Sequence, residues 1–332
     1  MTDVLQSGKP EAAPGFGVTA LFVGAIALGS GVGLSDPALG ASLSRGIDPT
    51  LIAMVGLLFF EVKLRAVVAG LANMRFIAIA WVANFMIVPV IGFAIASLFM
   101  SGEPLLYTGL LIYFFAPCTD WFLGFTRMAR GDTALGAALL PINMLTQLLL
   151  FPVWLWIITR NTGVVDFVTI PDLLLQWFLV PFLVAQGARW LLSQLLREVV
   201  FQKVCSAVGS LIPLVTATLI LQIFAANIST ISAHLEAFGL ILVAIFAFFL
   251  TTYALGEALA RLFKLPLPQQ ALLAMTTTAR NAPLMLALTA IAIPNQPLIY
   301  AALVIGMLVE FPHLIGLKQL LLAKALRREC GV

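Results

Sequence analysis

Two short stretches hold most of the residues in this chain that are able to do chemistry. "APCTD" at 116–120 sets Pro117, Cys118, Thr119 and Asp120 side by side. "TTTARNAP" at 276–283 sets Thr276, Thr277 and Thr278 ahead of Arg280, Asn281 and Pro283. One stretch holds a carboxylate and the other a guanidinium. The two can pair as a structural salt bridge, or act as a proton-coupling carboxylate beside a tuning cation. Cys118 reads either as a small buried hydrophobe or as a soft ligand for a thiophilic solute, set before the positive end of a helix dipole. The threonine hydroxyls and the Asn281 amide offer neutral groups for a hydroxylated solute or a cation. Asn143 and Gln147, four apart in "INMLTQ", project from one helix face. Asn84, in "VANFMIVP", is a further inward candidate. Glu310 lies two residues before Pro312. It can satisfy backbone groups that the proline frees, or take part in ion coupling.

The elements that must position these residues are membrane spans. Of 332 residues, 61% are hydrophobic and only 10% charged, with a mean hydropathy of +1.07. A soluble domain carries roughly 25% charged residues, so too few charges are present to cover a water-facing surface. The chain is therefore expected to be an all-α polytopic membrane protein. Windows of about 20 apolar residues place spans near 15–34, 48–64, 75–100, 104–129, 132–159, 171–193, 206–226, 234–259, 267–292 and 297–322. Prolines, glycines and charges punctuate the joints. With the first residue inside, 15 of the 18 Lys and Arg residues fall in inner segments. Only Arg45 and Arg160 fall outside, and Arg280 lies within a span. That asymmetry is the positive-inside pattern. It predicts a bacterial inner (plasma) membrane protein of ten spans with both termini cytoplasmic. The first 14 residues are polar and lack a cleavable-signal pattern.

The two reactive stretches interrupt the fourth and ninth spans, the same place in each half of five. Irregular backbone at membrane depth is tolerated only against protein or a wet cavity. Because five is odd, the second half runs inverted relative to the first. Paired broken helices in inverted repeats point to a secondary transporter with a midplane site. The expected organisation is one transporter domain over 1–332, with tails at 1–14 and 323–332. Residues 15–193 cover the first repeat and the sixth span, and 194–322 cover the remainder of the second repeat.

Other classes fit less well. Three cysteines at unrelated spacings, Cys118, Cys205 and Cys330, suggest neither a disulfide framework nor a zinc site. Cys205 and Cys330, in inner segments, read as ordinary buried or surface thiols. His234 and His313 lack clustered partners. No catalytic arrangement is apparent, so no enzymatic activity, cofactor or nucleic-acid partner is expected. The expected partners are the lipid bilayer, a small-molecule or metalloid substrate, and H+ or Na+ as coupling ion.

The stretch "APCTDWFLGFTRMARGDTALGAALLPINMLTQLLL" resembles the arsenical-resistance (arsenite efflux) family of the bile acid:sodium symporter superfamily. The shared features are a cysteine in the broken fourth span, the Arg130-Gly131-Asp132 turn, and the Asn143/Gln147 pair. "VIGMLVEFPHLIGL", with Glu310 and Pro312, is similar to that family's Val-Glu-Val-Pro segment. The resemblance implies ten helices in a core domain with crossed broken helices and a panel domain. It also implies metalloid efflux by proton antiport, with Cys118 as metalloid ligand. Taken together with the residues read above, the candidate site comprises Cys118, Thr119, Asn143, Gln147, Thr278 and Asn281 for substrate, with Asp120, Arg280 and Glu310 for ion coupling. One departure stands out. Where the arsenite exporters read Asn-Phe-Glu in the ninth-span break, this chain reads Asn281-Ala282-Pro283. Asp120 can supply the missing carboxylate from the facing break. The change equally fits a sodium-coupled importer of a small organic anion, with Arg280 as the anion's partner.

Overall fold

In the computed structural model, described over residues 14–62, 73–119, 121–159 and 179–329, the chain is helical throughout, as an apolar backbone in lipid must be. The helices are α1 (Pro14–Ser35), α2 (Pro37–Ser44), α3 (Ile47–Glu61), α4 (Met74–Met100) and α5 (Pro104–Phe115). They continue as α6 (Trp121–Met128), α7 (Thr133–Thr159), α8 (Val180–Leu195), α9 (Glu198–Ser232) and α10 (Leu235–Leu262). The last are α11 (Leu267–Thr278), α12 (Ala282–Ala292) and α13 (Pro297–Glu329). Six of the described helices are long and apolar enough to cross a membrane, or seven if the bent pair α2 and α3 is one span. This is a multi-pass membrane protein. Part of the expected sixth span, together with Asp120, Arg160 and Cys330, lies outside the described residues.

The helices form two sets, which meet where α13 packs on α1 and α9 and where α12 packs on α3. In one, α9 runs along α1, α2 and α3, and α8 lies against α3. In the other, α5 packs on α4, α7 and α13, while α10 lies on α4 and α11. The second set contains the most deeply buried part of the chain. Every residue of α11 from Gln270 to Thr278 is buried, as is all of α12 from Ala282 to Ala290. Such all-round burial explains how short helices at 104–115 and 282–292 persist at membrane depth: their ends abut protein rather than lipid.

Several helices carry proline without breaking, among them α7 at Pro141 and Pro152 and α13 at Pro312. In α4 the accommodation is visible. Pro89 cannot donate to the preceding turn, and the helix widens into a π-turn over Ala83–Ile87. Asn84 lies in that widened turn. At the end of the second set, Lys324 Nζ donates to both carboxylate oxygens of Glu257, at 2.7 and 2.6 Å, and to Gln270 Oε1 at 2.9 Å. All three ammonium protons are thus satisfied, and α10, α11 and α13 are tied together.

Candidate functional site

The two breaks are built by local chemistry. Ala116 precedes a proline, which disfavours helical backbone, and it is extended at φ −104, ψ 106. In the other break, Thr277 and Thr278 turn their hydroxyls back on the carbonyls of Leu273 and Ala274, at 2.8 and 2.7 Å. Ala279 then leaves the helix at φ −71, ψ 141. Two extended segments at the same depth can satisfy each other's backbone, and they do. Pro117 and Arg280 form an antiparallel bridge. The Cys118 N–H donates to the Ala279 carbonyl and the Asn281 N–H donates to the Ala116 carbonyl, both at 3.0 Å.

Side chains seal this crossing. Arg280 is fully buried. Its guanidinium donates to the Phe114 carbonyl at 3.0 Å and to the Thr276 and Thr277 carbonyls at 3.1 and 2.7 Å. Phe114 closes α5 and the threonines close α11, so a single cation serves the negative ends of two helix dipoles. The guanidinium also lies over the Phe248 ring, 5.5 Å from its centroid. The Arg280 N–H donates to Glu310 Oε1 at 3.0 Å, with Glu310 buried on α13. Asn281 caps α12 by accepting from the Leu284 N–H, and its Nδ2 donates to Thr119 Oγ1 at 2.7 Å. Beside the crossing, Asn84 Nδ2 and Asn143 Nδ2 both donate to Thr276 Oγ1, at 3.0 and 3.3 Å. The Oδ1 atoms of both asparagines and the Oε1 atom of Gln147 are buried with no hydrogen-bond partner.

A cavity of about 520 Å³ lies between the two helix sets. One wall is α3, α8 and α9, contributing Glu61, Arg189, Cys205 and Gly209. The facing wall is α6 and α7 with Thr119, contributing Trp121, Pro141 and Met144. Thr119 therefore joins the crossing to the cavity.

Residues 49–234, more than half of the chain, match the model of the sodium bile acid symporter family. The chain belongs to that family. A search of curated proteins found no match. As a member of the sodium bile acid symporter family, the protein is a secondary transporter of small solutes. The matched range contains the first break and the cavity walls, but ends before the second break.

Against the sequence expectations, this symporter-family chain brings together Cys118, Thr119, Thr276, Asn281, Arg280 and Glu310 around one crossing. Asn84 and Asn143 join them through Thr276. Thr278 is buried there too, with its hydroxyl taken up by Ala274. Cys118 is fully buried in the bridge and is not a lining residue of the cavity. Glu310 accepts a backbone N–H freed by the 276–283 break, that of Arg280. Asp120, the carboxylate expected to face Arg280, lies outside the described residues, and Arg280 meets carbonyls through its guanidinium. A local signal for this existed: an arginine three and four residues past Thr277 and Thr276 can fold back onto the last carbonyls of its own helix. Cavity residues Glu61, Arg189 and Cys205 do not stand out in sequence, because they sit near the ends of spans where polar residues are ordinary. Arg189 is held by the Phe60 carbonyl at 2.7 Å, at the end of α3.

Proposed function

We propose that this symporter-family chain exports arsenite or antimonite in exchange for protons, through a midplane site at the crossing of its two broken helices. The observation carrying this reading is the buried bridge between the breaks, which gathers a thiol, a hydroxyl and an amide in Cys118, Thr119 and Asn281. Arsenite near neutral pH is a small uncharged trihydroxide whose central atom favours sulfur. Cys118 supplies a soft ligand, while Thr119 and Asn281 supply neutral partners for hydroxyls. Asp120 and Glu310 are the carboxylates proposed for proton coupling, with Arg280 between the breaks.

The proposed frame is ten spans in two inverted repeats, in the inner membrane with both termini cytoplasmic. Recurrent contacts support it. The displacement along the chain that carries Pro117 to its bridge partner Arg280 also carries Tyr113 to Thr276 and Asn143 to Gly306. Correspondingly, Tyr113 Oη donates to the Gly306 carbonyl at 3.0 Å, and Asn143 Nδ2 donates to Thr276 Oγ1 at 3.3 Å. Gly109 against Ile299 and Gly136 against Leu272 obey the same displacement. On this frame α4 to α7 with α10 to α13 form the core, and α1 to α3 with α8 and α9 form the panel.

Sodium-coupled import of an organic anion is the second reading, favoured by the unpartnered asparagine oxygens beside Thr276, since hard cations take oxygen ligands. The complete burial of Arg280 and its three carbonyl contacts weigh against its use as the anion's partner. A strain lacking other arsenic defences separates the two. Expression should raise the arsenite concentration tolerated, and Cys118→Ser should abolish the gain. Unchanged tolerance refutes metalloid export. Sodium-dependent uptake of an organic anion, indifferent to Cys118→Ser, establishes the second reading.

A further inference from the structure

The inverted frame pairs Gln147 on α7 with Glu310 on α13, and the pair is chemically unequal. Glu310 Oε1 accepts the N–H of Arg280. The residue equivalent to Arg280 is Pro117, which has no N–H to give. Gln147 Oε1 is accordingly buried with no hydrogen-bond partner, in a residue only 3% exposed, while its Nε2 meets Met144 Sδ at 3.6 Å. A buried carbonyl left unpaired is costly, and its persistence calls for an account.

Gln147 lines a second, narrow pocket of about 10 Å³, room for roughly one water-sized group. Its other walls include Phe115, Ala116, Phe151, Trp154 and Met285. Trp154 Nε1 is also buried without a hydrogen-bond partner. An unpaired acceptor, Gln147 Oε1, and an unpaired donor, Trp154 Nε1, thus belong to two residues of the pocket's otherwise apolar lining, and no titratable side chain is among the described residues that line it. It also lies across the crossing from the wide cavity. On the fourth span the cavity takes residues after the break, Thr119 to Leu123, while the pocket takes those before it, Ile112 to Ala116. On α7 the cavity takes Ala137 to Met144 and the pocket takes Gln147 to Ile158. Met144, three residues before Gln147 on α7, lines the cavity and not the pocket.

We propose that Gln147 and Trp154 form a second binding station that holds one hydroxyl of an uncharged hydroxylated solute on the far side of the crossing. An anion finds no counter-charge there, and its desolvation would go uncompensated. The station thus makes the transporter selective for neutral cargo. The inference rests on the transporter reading above and narrows its substrate class.

The test uses the full-length chain in proteoliposomes at neutral pH, with radiolabelled arsenite and glycerol as two neutral probes. Gln147→Leu and Trp154→Phe each remove an unpaired polar atom, so the melting temperature should hold or rise. Flux of the transported neutral probe should fall at least tenfold in Gln147→Leu and several-fold in Trp154→Phe. Arsenite flux unchanged in Gln147→Leu overturns the station while leaving the proposed function standing. A fall in flux that tracks a fall in melting temperature also overturns it, as a structural effect. If arsenite is not carried but glycerol flux depends on Gln147, the station stands and metalloid export fails. If the native chain carries neither probe, both fail.

Discussion

Arg280 offers the most direct test of how the crossing is held. Its three hydrogen bonds run from a charged donor to buried carbonyls at 2.7–3.1 Å. Replacement by methionine keeps much of the side-chain length but removes the charge and every donor. Each stranded carbonyl costs about 1–3 kcal/mol, so the loss is on the order of 5 kcal/mol. Arg280→Lys keeps the charge, yet a point donor cannot fork across carbonyls that end two different helices. One or two bonds survive, and the cost is about 2 kcal/mol. At roughly 2 °C per kcal/mol for a large chain, detergent-solubilised protein should melt about 10 °C lower as the methionine variant and about 4 °C lower as the lysine variant. Fluorescence-detected size exclusion after a heating series reads both. A methionine variant within about 2 °C of the native protein would refute the carbonyl-staple reasoning. A lysine variant of native stability that loses anion transport would instead assign Arg280 to a solute.

Two further outcomes follow from the packing. A Cβ on Gly109 would stand 2.7 Å from the Ile299 carbonyl oxygen and 2.8 Å from Ala302 Cβ, so Gly109→Ala should destabilise the chain by about 1–3 kcal/mol. Gly102→Ala, with nothing within 4 Å, serves as the neutral control, and equal melting of the two would show that α5 and α13 do not approach so closely. In a Cys330→Ser background, a membrane-permeant maleimide should label Cys205, a lining residue of the cavity, and leave the fully buried Cys118 unmodified. Cys205→Ser should abolish the signal, and labelling of Cys118 at a comparable rate would contradict its place in the bridge.

The parts of this architecture legible in sequence are those with local causes. Pro117 forces Ala116 out of the helix, and three successive threonines compete for carbonyls before Ala279, so both interruptions are visible as strings of letters. That they pair with each other follows from their matching positions in the two halves. The destination of long side chains is another matter. Arg280 has a carbonyl-rich helix end within reach and also a carboxylate one break away in sequence terms, and composition cannot rank them. The clamp of Glu257 by Lys324 is hidden for the same reason: each sits at the end of its span, where charges are commonplace. The cavity residues Glu61, Arg189 and Cys205 come from three helices, and no spacing rule links them. The π-turn around Asn84 depends on a proline five residues later, a relation that a reading based on α-helical period overlooks.

The crossing also has an electrical consequence. Two helix C-termini, those of α5 and α11, meet there with two N-termini, those of α6 and α12. Each end carries about half an elementary charge. The C-terminal pair faces the guanidinium of Arg280, and the N–H of the same residue is held by the Glu310 carboxyl. The crossing is thus dense with partial charges of both signs. Any net charge left there is worked on by the membrane voltage at about 2.3 kcal/mol per elementary charge per 100 mV. Voltage sensitivity of flux therefore counts the charge of cargo, coupling ion and crossing together.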